Sequence, residues 1–238
     1  MSEASNRPEE IHQHSGWLIP LAFLGVILVL SALFLLYDLR PAPGPRAGRT
    51  ADEAPVALTV GNLRLTVPAN YLDSRAARAG GEQEALMLSA LLPDMRGYSS
   101  ADAKLFAGNP PDSPLVHLQF KGGESDLEAT ERLARVYRPY LAAPTGKEGD
   151  FGLVTYGFRA DSAYGRHDLF AGEAAGRQLL FLCERANPEL PSPNCLVTGH
   201  TIASHVSFSW RFKRAYLARW REIATGVDGM LTRFQKTD

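Results

Sequence analysis

VALTVGNLRLTV, residues 56–67, decides how the folded part of this chain begins. Two alternating runs flank Gly61-Asn62, a two-residue loop suited to a hairpin because glycine tolerates positive φ. Val56, Leu58 and Val60 share one face of the first strand, and Leu63, Leu65 and Val67 share one face of the second. Pro68 then stops the ladder.

Toward the C-terminus, more short strands follow. Residues 85–92 are strongly apolar and end at Pro93-Asp94. Residues 115–121 alternate Leu115, His117 and Gln119 against Val116, Leu118 and Phe120. Residues 151–158 and 166–171 read as a hairpin around 161–165, and 179–183, 195–202 and 206–212 complete the set. Strands that follow one another without helical crossovers favour a meandering antiparallel sheet.

Two helices interrupt them. The first opens on a capping box, Ser125 as N-cap and Glu128 three residues on, with Asp126 at the positive end of the dipole. Leu127, Thr130, Ala134, Tyr137 and Leu141 supply its core face. The second spans about residues 214–234. There Leu217, Trp220, Ala224, Val227, Leu231 and Phe234 step at three or four residues, as an amphipathic helix requires. It is expected to pack across the sheet, with Gly226 and Gly229 marking either a close helix-on-sheet contact or early fraying. The expected fold class is α+β.

Toward the N-terminus the composition changes. Residues 38–55 are rich in Pro, Ala and Gly and read as an extended spacer. Before them LIPLAFLGVILVLSALFLL, residues 18–36, carries no charge. As a helix it would be about 28 Å long, close to the hydrocarbon core of a bilayer. Trp17 and Tyr37 bracket it where interfacial rings are favoured. The run is too long for a cleaved signal peptide, the tail before it is acidic, and no A-x-A site follows. The expected organisation is a tail at 1–16, a transmembrane signal anchor at 17–37 in contact with membrane lipid, the spacer at 38–55 and an exported domain at 56–238.

The orientation follows from the cysteines. Cys183 and Cys195 are the two cysteines of the chain, and they fall at matching ends of neighbouring strand candidates around ERANPELPSPN. A disulfide there persists only in an oxidising compartment. Arg40, Arg46 and Arg49 after the span, against Arg7 before it, argue the other way. Large domains translocate largely regardless of such charges. The domain is therefore placed on the periplasmic side of a bacterial-type inner membrane.

The 238 residues carry a formal net charge of -1, with 45% hydrophobic and 21% charged residues, an ordinary globular balance without the basic face of a nucleic-acid binder. The sequence holds no G-x-S-x-G elbow, phosphate loop or H-E-x-x-H, and suggests no cofactor or metal site. His12 and His14 make an H-x-H pair with too few ligands. Arg211, Lys213, Arg214 and Arg221 give the C-terminal segment a basic patch that would face an anionic partner or lipid head groups. The favoured reading is a tethered, non-catalytic interaction module with a protein partner in an envelope complex. The alternative is an anchored hydrolase assembled from His167, Asp168, His200, Ser204 and His205.

Overall fold

The computed structural model describes residues 18–38, 48–123, 126–199 and 201–235. The chain separates into two units, residues 1–44 and 45–238. The first contains helix α1 (Leu18–Asp38). Side chains are described there for residues 20–32 and 34, and Leu21, Phe23, Ile27 and Phe34 are exposed. Over the described residues no helix is long and apolar enough to cross a membrane. Trp17, the 1–16 tail with His12 and His14, and spacer residues 39–47 lie outside the described residues.

The second unit is α+β. Strands β1 (Pro55–Val60) and β2 (Leu63–Pro68) form the expected hairpin, Val60 opposite Leu63, with Gly61 at φ +56°. β3 (Gly81–Gln83) adds to β1 in parallel, so this small sheet is not wholly antiparallel. The large sheet comprises β4 (Ala85–Leu91), β5 (Leu115–Gly122), β6 (Lys147–Glu148), β7 (Val154–Gly157), β8 (His167–Ala174), β9 (Arg177–Glu184), β10 (Asn194–Thr198) and β11 (Val206–Lys213). Its order is β4-β5-β11-β10-β9-β8-β7-β6. Every pairing in it is antiparallel. β6 to β11 meander as expected, and β11 then closes against β5.

The hydrophobic alternation assigns the two faces. Leu86, Leu88, Leu118, Phe120, Phe208, Phe212, Phe181 and Val197 point into the main core, which they share with Leu58, Val60, Leu65 and Val67 of the small sheet. Helix α4 (Trp220–Gln235) closes this core with Trp220, Ile223, Ala224, Val227, Met230, Leu231 and Phe234 buried. The expected helix from 214 is corrected at its start, because Arg214–Arg219 winds as a tighter 3-10 segment first. The close approach expected at Gly226 is present: a Cβ there would stand 2.9 Å from the Met95 side chain. At Gly229 the space is open to within 4.0 Å of Arg233, so that glycine marks no tight contact.

The opposite face is covered only in part. At one end α2 (Ala103–Ala107) places Phe106 over Leu91 and Leu115. At the other, α3 (Ala129–Arg132) continues through π-type turns at Leu133–Tyr137 and a 3-10 turn at Arg138–Tyr140, and packs over Leu169, Ala171 and Leu180. The expected capping box is corrected. Ser125 lies outside the described residues, Glu128 occupies the N-cap position without a side-chain cap, and Leu127 stands before the helix. Asp126 accepts the Leu127 N–H and pairs with Arg132, so it serves the entry turn.

Candidate functional site

Between α2 and α3 the second face of β4, β5, β11 and β10 is left open by the described residues. Strand alternation puts Met87 and Ser89, then His117, Gln119 and Lys121, then Ser207, Ser209, Arg211 and Lys213, then Leu196 on that face. Register aligns them in rows: Ala85–Lys121–Ser207, Met87–Gln119–Ser209, and Ser89–His117–Arg211–Leu196. Met87 and Leu196 are 42% and 38% exposed, large values for apolar side chains on a sheet. Beside α3 the floor deepens into a groove of about 280 Å³ lined by Lys121, Asp126, Leu127, Arg132, Thr198, Ser207 and Ser209.

At the α2 end a buried polar network braces the face. Ser89 Oγ donates to Asp73 Oδ2 at 2.7 Å, and His117 Nδ1 lies 2.9 Å from Ser89 Oγ. Ser89 has one hydroxyl proton, already given to Asp73, so His117 must donate from Nδ1. Arg49 pairs with Asp73 at 2.7 Å and lies 4.8 Å over the Phe106 ring, which fixes the chain where it enters the domain. Burial lowers the His117 pKa to about 4, helped by the charges of Arg211, Arg49 and Lys213. Burial also raises Asp73, against the opposing pull of Arg49 and of the Ser89 hydrogen bond.

Serine, histidine and aspartate meet here without the wiring of a nucleophile. In acyl-transfer triads the histidine stands between the other two and takes the serine proton. Here the serine stands in the middle, fully buried, and gives its proton to the aspartate. Sequence reasoning missed this cluster. Its one signal was a serine and a histidine interrupting apolar strands, and the register that makes them neighbours is not local.

The residues of the hydrolase alternative are not brought together. Asp168 lies level with Cys183, Cys195 and Phe212, whereas Ser204 and His205 precede Val206 at the other end of β11. Six residues of strand separate the two ends, about 20 Å. Ser204 Oγ accepts from Asn62 Nδ2 at 2.7 Å. Asp168 is held by Arg214 at 2.6 Å and Arg185 at 2.8 Å. Burial pushes its pKa up, but those hydrogen bonds outweigh it, and the carboxyl sits below its ordinary value. His167 stacks edge-on against Tyr164. His200 lies outside the described residues. Among the described residues no three His, Cys, Asp or Glu side chains are grouped to hold a metal ion.

The four basic residues read as one patch are divided between faces. Arg211 and Lys213 belong to the open face, Arg211 exposed and Lys213 buried with Nζ donating to the Ser192 carbonyl. Arg214 lies on the core side, donating to Asp168 and the Glu184 carbonyl, 5.7 Å over Phe170. Arg221, on α4, covers the Trp220 ring at 4.4 Å and donates to the Phe151 carbonyl. Alternation along β11 and the turn at 214 cause the division.

Cys183 and Cys195 face one another across β9 and β10 and are joined by a disulfide. Both are fully buried in the main core, out of reach of soluble thiols.

No family model matches the chain. No curated protein matches it either. Among solved structures it is similar to Smlt3025, described as an immunity protein of the Stenotrophomonas maltophilia type IV secretion system, with a TM-score of 0.57 and 16% sequence identity over 78% of this chain and 94% of that one. At that identity the likeness is one of fold.

Proposed function

We propose that this protein is a membrane-tethered, exported binding module that occupies a protein partner in the cell envelope, a reading its likeness in fold to a secretion-system immunity protein supports. The observation that carries the reading is the sheet face left open between α2 and α3, in a fold shared with a secretion-system immunity protein. A broad face with exposed Met87 and Leu196 among polar groups suits protein contact.

Residues 17–37 are the anchor in this reading. The uncharged run 18–36 and the exposed apolar side chains of α1 call for an apolar surrounding, which a bilayer supplies. The disulfide supports a periplasmic domain, since such bonds form in oxidising compartments.

Affinity purification of the full chain from its native membrane tests the reading. A stoichiometric second protein, whose own activity is suppressed in the complex and returns on release, is the expected result. A chain that purifies alone and turns over substrates itself contradicts it.

A further inference from the structure

The open face has a charge pattern that specifies its occupant. Its positions on β4, β5, β11 and β10 are Ala85, Met87, Ser89 and Leu91; Leu115, His117, Gln119 and Lys121; Ser207, Ser209, Arg211 and Lys213; and Asn194, Leu196 and Thr198. Three are cationic and none is a carboxylate. The acids that border the face are already engaged: Asp73 pairs with Arg49, Asp126 with Arg132, and Glu184 accepts from Asn194 and faces Lys213. Lys213 is buried on a backbone carbonyl. Lys121 and Arg211 are exposed and neither forms a salt bridge among the described residues, although the Arg211 charge also acts on Asp73.

We infer that the face between α2 and α3 docks an acidic surface of a partner protein, with Lys121 and Arg211 supplying charge and Met87 and Leu196 the apolar contact. The dimensions fit a protein segment. Lys121 and Arg211 are four residues apart along the strands, about 13 Å, and Met87 to Leu196 crosses three inter-strand spacings, about 14 Å. Unpaired cations on a semi-apolar floor favour carboxylates, because pairing them at the rim steers encounter and rejects basic competitors. The proposal rests on the protein-binding reading and adds the surface and the partner's charge.

The experiment uses the full chain in its native membrane, with p-benzoylphenylalanine replacing Ser209 on the face or, as a control, exposed Glu173 on β8. Irradiation is expected to join the Ser209 probe to a different protein, through a peptide rich in Asp and Glu. The double charge reversal Lys121→Glu with Arg211→Glu is expected to lower the yield about tenfold or more. The charge-keeping pair Lys121→Arg with Arg211→Lys is expected to retain it. An unchanged thermal midpoint in each variant shows that folding is intact. An adduct indifferent to charge reversal, an adduct with a second copy of this chain, or an adduct with lipid overturns the inference. An adduct at Glu173 with none at Ser209 overturns the surface but leaves protein binding standing. No protein adduct at either position, in a chain that also purifies alone, removes both.

Discussion

Acidification should unfasten the domain through one histidine. His117 falls from an ordinary pKa of 6.5 to about 4 in the folded protein, because it is buried and faces Arg211, Arg49 and Lys213. Between those values the unfolded chain binds a proton that the folded chain refuses. Stability from this group is therefore full above pH 6.5 and is lost as pH falls toward 4. At about 1.36 kcal/mol per tenfold, the whole loss is about 3 kcal/mol, and most of it is reached by pH 4.5. Asp73 acts in the opposite sense. Its raised pKa means that the folded chain takes up that proton first, which offsets part of the histidine's effect. The perturbation is His117→Gln, which keeps a side-chain donor for Ser89 and removes the titration. Urea unfolding of the full chain in detergent, followed by tryptophan fluorescence, should show the wild type losing about 2 kcal/mol or more relative to the variant between pH 7.5 and 4.5. Proton NMR should place the His117 midpoint near 4, and Arg211→Gln should raise it by removing a facing charge. A midpoint near 6.5, or equal pH slopes in the two proteins, refutes the reasoning.

Replacing Cys183 and Cys195 together by Ser should cost about 2–5 kcal/mol in unfolding free energy, since the bond closes a loop of about 13 residues and the core must then hold two hydroxyls. Mass spectrometry of protein isolated without reductant should find both sulfurs bonded. Gly172→Ala should destabilise by about 1–3 kcal/mol in the same urea assay, because its Cβ would meet Leu153 Cδ2 and Trp220 Cη2, each at 2.7 Å. A reporter active only outside the cytoplasm, fused after Asp238, should give signal, and a silent one would reverse the proposed orientation.

The parts of the fold legible in the sequence were those governed by short-range period. The 56–67 hairpin and the α4 stripe from Trp220 to Phe234 fall where alternation and helical spacing put them. The Cys183–Cys195 pairing was legible because both cysteines end strands that flank one loop. What was lost depended on partners distant in the chain. β3 gains its strand character from pairing with β1, not from its Gly-Glu-Gln sequence. The β8–β9 hairpin turns at Ala175-Gly176, both at positive φ, and alanine there gave no turn signal. The first helix starts at Ala129 because Asp126 spends its carboxylate on Leu127 and Arg132. The site was less legible than the fold. Arg211 was singled out, but its row mates Ser89, His117 and Leu196 come from three other strands. Arg214 and Arg221 looked equivalent to it until the turn after β11 carried them to the other side.

Under the proposed reading, this domain shields the cell that carries it by occupying a protein partner in the envelope. Survival in co-culture measures that most directly. Cells lacking this chain are mixed with unmodified siblings and counted over time. The account predicts that they die in contact with those siblings, that the full chain restores survival, and that the Lys121→Glu, Arg211→Glu chain does not. Equal survival with and without the chain would contradict it.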